Sequence, residues 1–204
     1  EENSPAGMIT KFEYNGDWND EDTLLRFSEK CDLITLENEF IDHHKIRFLE
    51  EKGMQVYPSS EIIKLVQDKL FQKEYLRKSG IPVADFAKAD SKEDIYDFVS
   101  AHLYPVILKS RTMGYDGKGN FTIEREDQIE EAFNVLSKRG RLMCESFVKF
   151  EKEIATQVVR NSSGEMKVYK VVETIQKDHV CNQVISSAGH FENIKSKAEK
   201  IAGQ

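Results

Sequence analysis

The sequence has few cysteines, no long apolar run and no excess of positive charge. Its three cysteines, Cys31, Cys144 and Cys181, are scattered over 204 residues with no C-x-x-C spacing. That excludes a disulfide framework and a zinc knuckle and reads as reduced thiols in a cytoplasmic protein. No apolar stretch approaches the roughly 20 residues that cross a bilayer, and 32% of the residues are charged, so a membrane protein is excluded. The net charge is −7 with acids and bases interspersed, which argues against nucleic acid as the partner. A site for an anionic substrate must then be a local cationic cleft. There is no initiator Met, and no signal-like stretch follows Glu1, so the chain is expected to begin inside a longer protein. What is present, 39% hydrophobic residues, is enough for one large domain or two small ones.

The most informative stretch is Pro105–Thr122, PVILKSRTMGYDGKGNFT. Alternation along Pro105–Lys109 sends Val106 and Leu108 to one face and Ile107 and Lys109 to the other. A lysine ending such a run sits where apolar packing gives way to a cleft. Gly114, Gly117 and Gly119 follow with little steric bulk, so backbone N–H groups can approach a polyphosphate closely. Arg111 and Lys118 add positive charge. A Walker A loop is excluded, because Gly119 precedes Asn120 and Phe121 rather than Lys-Ser/Thr and a helix. A plain hairpin is the simplest alternative, and D-G is a favoured turn pair. Hairpins need about two to five loop residues, however, and this loop carries about ten. A strand, a glycine loop and a strand describe a flap that covers phosphates.

KSRTMGYDGKGNF resembles the glycine-loop signature of the ATP-grasp enzyme N5-carboxyaminoimidazole ribonucleotide synthetase, in the form found in fungal phosphoribosylaminoimidazole carboxylases. SPAG at Ser4–Gly7, CDLITLENE at Cys31–Glu39, VQDKLFQKEYL at Val66–Leu76 and VVETIQKD at Val171–Asp178 match in the same order. The resemblance covers nearly all of the chain but only the middle of a complete family member.

Taken in order, the pattern predicts a strand at Met8–Phe12, a helix over Asp20–Lys30 and a strand at Asp32–Leu36. A helix from Asp42 to Lys52 and a strand at Met54–Tyr57 follow. This alternation implies a parallel sheet covered by helices, with ligands beyond the strands' carboxyl ends, where Glu37 and Glu39 fall. His43 and His44, adjacent on a helix, point about 100° apart and are read as exposed polar residues, not as metal ligands. A helix with a possible break spans Glu61–Ser79, with Lys69 and Lys73 on one face. Next come a strand at Val83–Ala87, a helix opened by a capping box at Ser91-x-x-Asp94, the glycine flap, and a helix near Asp127–Lys138. A strand at Arg141–Glu145 follows, then a hairpin of Glu153–Arg160 and Met166–Ile175, a third antiparallel strand at Val180–Ile185, and a final helix, Glu192–Ala202.

The fold expected is α/β, α+β in the second half. It consists of the end of a Rossmann-like pre-ATP-grasp domain (1–60), an ATP-grasp small lobe (61–145) and the start of a large lobe (146–204). The resemblance implies that Lys109 neutralises the α/β-phosphates of ATP and that Gly114–Asn120 closes over the β/γ-phosphates, with Lys118 in the same flap. Tyr115 and Asp116 then face the intermediate and the second substrate. It also implies that Lys69, where the family has arginine, contacts the nucleotide. Glu145, Ser146, Phe147 and Val148 take the adenine, and Glu153 the ribose. Gln176 stands where the family commonly has a histidine; it donates a hydrogen bond but carries no proton. Glu39, and more weakly Glu37, contact the aminoimidazole.

The implied reaction makes carboxyphosphate from bicarbonate and ATP and carboxylates aminoimidazole ribonucleotide. Mg2+ ligands and a basic phosphate site are expected beyond Gln204. Formate-dependent or biotin-type ATP-grasp chemistry, and a nucleotide-binding fragment without turnover, are the rival readings. A homo-oligomer is left open.

Overall fold

A computed structural model describes residues 4–5, 7–10, 12–114, 117–177, 180–186 and 192–204. The chain divides into two compact units, Glu1–Asp68 and Lys69–Gln204.

In the first unit, helix α1 (Glu21–Ser28) opens where the Asp20 side chain accepts the backbone N–H of Thr23, and it buries Leu24. Strand β1 (Ile34–Thr35) pairs in parallel with β2 (Val56–Tyr57), with Ile34 opposite Val56. Helix α2 (His43–Glu51) joins them, as a parallel pair requires. Helix α3 (Ser60–Gln67) is capped by Ser59. Leu24, Ile34, Ile46, Leu49, Val56 and Ile63 close the core. Each such buried side chain contributes about 1.5–3 kcal/mol.

The expected strand at Met8–Phe12 is not formed. Residues 7–9 are a turn, in which Met8 N–H donates to the Ser4 carbonyl and Gly7 N–H to the Ser4 hydroxyl, both at 3.0 Å. Met8 and Ile9 are exposed, and these local bonds replace a ladder. The helix expected over Glu61–Ser79 is two helices, split at Asp68, whose backbone is extended (φ −111°, ψ 109°).

The second unit starts with α4 (Lys69–Lys78) and continues through β3 (Phe86–Ala89), α5 (Lys92–His102), β4 (Val106–Ser110), β5 (Asn120–Ile123), α6 (Ile129–Leu136) and β6 (Leu142–Ser146). The four strands form an antiparallel sheet in the order β3-β6-β4-β5. The capping box at Ser91 and Asp94 is present in full. Val106, Leu108, Ile123, Leu142 and Cys144 pack with Ile95 and Phe98 of α5 and with Ile129, Ala132 and Leu136 of α6. Strand alternation puts Ile107, Lys109, Met143 and Glu145 on the other face.

Strands β7 (Glu153–Ala155), β8 (Val158–Arg160), β9 (Met166–Val168), β10 (Val172–Lys177) and β11 (Val180–Ile185) follow, and α7 (Glu192–Ala202) ends the chain. The expected hairpin forms in two parts. β8 pairs with β9 and β7 with β10, and between them Thr156 Oγ1 and Gln157 O hold Tyr169 at 2.7 and 2.8 Å. β11 pairs antiparallel with β10, as expected.

Candidate functional site

The site begins with the register of β4 on β6. Ile107 stands opposite Glu145, and Lys109 opposite Met143 on one side and Asn120 on the other. Lys109 and Glu145 are therefore diagonal neighbours on the face turned away from α5 and α6, within reach of long side chains. Lys109 Nζ lies 2.7 Å from Glu145 Oε2, and Lys73 Nζ of α4 lies 2.7 Å from Oε1. The carboxylate is buried between two ammonium groups. Burial pushes its pKa up, but the two lysines outweigh burial and hold it below the usual carboxylate value. Phe86, opposite Glu145 on β3, lies under the Arg77 guanidinium at 4.0 Å and 5.7 Å from Lys73 Nζ, so α4 covers this end of the sheet.

The glycine loop springs from the same row. Ser110 N–H donates to the Gly119 carbonyl at 2.8 Å. A β-carbon on Gly119 would meet the Gly114 α-carbon at 3.2 Å, so the two ends of the loop touch through backbone. Gly117 is buried and has φ +73°, a conformation that L side chains rarely adopt. Lys69 enters from the start of α4. Its N–H donates to the Arg111 carbonyl at 2.9 Å, its Nζ approaches the Ser110 carbonyl at 3.5 Å, and its ammonium lies beside Gly114. Lys118 is exposed on the loop. Tyr115 and Asp116 lie outside the described residues. Lys69, Lys109, Gly114, Gly119 and Asn120 are thus brought together, and cations beside a loop of accessible backbone suit a polyphosphate.

Past β6, Ser146 N–H donates to the Asp85 carbonyl at 2.8 Å, while Phe147 and Val148 are about half exposed. On the next sheet Glu153 stands opposite Thr174. Its Oε1 accepts from the Thr174 hydroxyl and, at 2.6 Å, from the Gln176 amide. Gln176 therefore holds Glu153, a pairing that its position in the sequence does not reveal.

In the first unit, Glu37 lines a cleft of about 880 Å³ together with Asn38, Phe40, Lys45 and Trp18. Asn38 Nδ2 donates to Glu37 Oε2 at 2.7 Å. Glu39 is exposed, and its carbonyl accepts the Gln67 amide at 2.5 Å. His43 and His44 do not diverge as adjacent helical residues should, since at the first turn of α2 their rings lie 4.1 Å apart. Asp42, His43 and His44 bring ligand atoms within 4.8 Å of one another, the one such group among the described residues. Burial, then the neighbouring His44, lowers the His43 pKa. Two imidazoles and one carboxylate do not suit Mg2+, which prefers oxygen ligands. No helix among the described residues is long and apolar enough to cross a membrane.

Two further site features escape a reading of the sequence. Spacing puts Lys73 on one helix face with Lys69 but does not say what that face meets; the structure turns Lys73 onto Glu145. The Ser110 hydroxyl, buried at the root of the loop, has no hydrogen-bond partner among the described residues, and nothing in the sequence signals this.

The family described as "ATP-grasp domain" matches residues 74–204, and that described as "Ribonucleotide synthetase preATP-grasp domain" matches residues 1–67. The phosphoribosylaminoimidazole carboxylase of Ogataea methanolica is 36% identical over 203 residues, which are 98% of this chain and 37% of that protein. The crystal structure of an ADP complex of N5-carboxyaminoimidazole ribonucleotide synthetase superimposes with a TM-score of 0.91 at 30% identity, covering 99% of this chain and 53% of that one. The Aspergillus clavatus N5-carboxyaminoimidazole synthase, in complex with ADP and 5-aminoimidazole ribonucleotide, gives a TM-score of 0.87 at 29% identity, with 99% and 53% covered. The chain thus spans about half or less of the relatives it matches.

Proposed function

This chain belongs to the ATP-grasp family, with a ribonucleotide-synthetase pre-ATP-grasp domain ahead of the ATP-grasp domain, and from that premise we propose that the protein carboxylates 5-aminoimidazole ribonucleotide with bicarbonate at the expense of ATP. A bicarbonate oxygen attacks the γ-phosphorus, and the bond from that phosphorus to the bridging oxygen of ADP breaks. The resulting carboxyphosphate releases carbon dioxide and phosphate. The exocyclic amine of the substrate adds to the carbon dioxide and loses a proton, giving the N5-carboxy product.

Phosphoryl transfer of this kind depends on positioning and charge neutralisation. Lys109 serves the α/β-phosphates, Lys69 adds charge at the root of the loop, and Gly114–Asn120, with Lys118, closes over the β/γ-phosphates and excludes water from a labile acyl phosphate. Tyr115 and Asp116 of that loop are assigned to the intermediate and second substrate. Glu145 to Val148 take the adenine, with Glu145 accepting from its amino group. Glu153, held by Gln176, accepts from the ribose hydroxyls. In the first unit, Glu37 and Glu39 are the proposed aminoimidazole contacts. Mg2+ is assigned to none of the described residues, whose one group of three or more metal-ligating side chains, Asp42, His43 and His44, does not suit it.

The observation that carries this reading is the placing of Lys109 and Asn120 in one cross-strand row at the mouth of a loop whose ends pack through glycine. The test is ADP release by the full-length protein with aminoimidazole ribonucleotide, comparing bicarbonate with formate. Bicarbonate-dependent turnover is expected. Lys109→Ala should reduce it about 100-fold, since removing one preorganised electrostatic contact costs about 3 kcal/mol. Turnover with formate and another amine in place of these substrates, or an unimpaired Lys109 variant, would overturn it.

A further inference from the structure

Glu145 holds two cations that are not equivalent. Lys73 donates a hydrogen bond to Oε1 at 2.7 Å. Lys109 Nζ is equally close to Oε2 as an ion pair, but that buried oxygen has no hydrogen-bond partner among the described residues. β4 supplies Lys109. α4 supplies Lys73, with Arg77 stacked on Phe86. β3 places uncharged Phe86 opposite, while its Lys88 turns to Asp90 at 2.8 Å.

In the reading above, Lys109 leaves Glu145 when it engages the nucleotide phosphates. A buried carboxylate that loses its only cation takes up a proton instead. We propose that Lys73 is the positioning residue that prevents this: it stays on Oε1, keeps Glu145 ionised after Lys109 departs, and presents Oε2 as a pure acceptor. An ionised carboxylate accepts and never donates. It therefore selects a purine with an amino group at C6 over one with a carbonyl there, so Lys73 sets base specificity without touching the base. A protonated Glu145 would donate to that carbonyl and erase the distinction.

This inference rests on the proposed placement of adenine at Glu145, so the experiment separates the two. Full-length protein and its Lys73→Met, Lys73→Arg and Glu145→Gln variants are compared for kcat and KM with ATP and with ITP between pH 6 and 8.5. Lys73→Met is expected to raise KM for ATP about tenfold at pH 8.5 and less at pH 6, because a carboxylate whose pKa rises when Lys109 departs takes up a proton on binding, so that binding improves as pH falls, with kcat changed less than KM. The ATP preference over ITP should narrow toward pH 6, where the protonated acid donates to a carbonyl. Lys73→Arg should restore both, because it restores the charge. Glu145→Gln, which mimics the protonated acid, should show the weak ATP binding at every pH, and it stands in if Lys73→Met fails to fold. A Lys73→Met enzyme with parental pH dependence and parental ATP/ITP preference overturns the inference, as does an arginine variant no better than methionine. If instead the Glu145→Gln enzyme keeps parental KM for both nucleotides at every pH, the placement of adenine at Glu145 is what fails.

Discussion

The ammonium of Lys69 fills the space beside Gly114 that a β-carbon would occupy, whereas the space beside Gly119 is filled by the Gly114 α-carbon itself, 3.2 Å from where a methyl would stand. The two glycines therefore answer alanine differently. Gly114→Ala meets the end of a flexible side chain, which swings away. Its stability should stay within about 0.5 kcal/mol of the parent, while nucleotide affinity drops because Lys69 is displaced. Gly119→Ala meets backbone and should cost about 1–3 kcal/mol, as overpacking does. Thermal unfolding and ADP titration of both variants check this. Equal stability losses would show that the loop ends do not pack as described.

Helix α5 offers an independent test. The Ser91 hydroxyl accepts from Asp94 N–H at 3.2 Å, and Asp94 Oδ2 accepts from the Ser91 and Asp90 N–H groups, each at 2.8 Å. Ser91→Ala should cost about 1 kcal/mol in urea unfolding. The Ser91 backbone bond is the chief reason that the Asp94 pKa lies below the ordinary aspartate value. A depressed pKa adds stability above the unfolded value of about 3.9, and this is lost as pH falls through the folded one. The contribution should vanish in Asp94→Asn, flattening the acid limb of stability against pH.

The parts legible in the sequence are those governed by local rules. The capping box at Ser91 needs residues three apart, and the alternation of Val106 to Lys109 needs only the pleat. The Rossmann-like end and the ATP-grasp start followed from motif order and agree with the matched domains. Met8–Phe12 misled because an apolar alternation becomes a strand only where a partner offers a ladder. Lys73 was hidden for a related reason. Helical spacing gives its face, but only the packing of α4 over β3 decides that the face meets Glu145, a residue 72 positions away in sequence. Adjacent histidines at a helix start, where the first turn is held by the Asp42 cap, escape the rule for helix interiors.

The three thiols should react in an order set by burial. Cys144 is buried in the sheet core, and burial, with a smaller effect from Asp94, pushes its pKa up to about 12. Cys181 is exposed and Cys31 partly so. With a maleimide at pH 8, Cys181 should label first and Cys31 more slowly, leaving Cys144 unlabelled until the protein unfolds. The raised Cys144 pKa gives stability that is complete below the unfolded thiol value of about 8.5 and is lost as pH climbs toward about 12. Mass spectrometry of peptides at timed quench points reads the order. Labelling of Cys144 at the Cys181 rate in folded protein would contradict the packing.

Gln176 donates to Glu153 at 2.6 Å, so a negative charge at 176 must act on the carboxylate proposed to hold the ribose. In Gln176→Glu, two acids at this distance cannot both ionise without cost, and the pair shares a proton with a raised apparent pKa. Above that pKa both are charged and repel, spoiling the geometry of Glu153. Below it one proton replaces the lost amide donor. Affinity for ADP should therefore be weakest at pH 8, by about tenfold, and should recover toward pH 5.5, a shift equivalent to about one pKa unit. Gln176→Ala removes the hydrogen bond but adds no titrating group, so its smaller loss should not vary over that range. Isothermal titration of ADP with the full-length variants distinguishes the two. If Gln176→Glu binds ADP with the pH-independence of Gln176→Ala, Glu153 is not the group through which position 176 acts on the nucleotide.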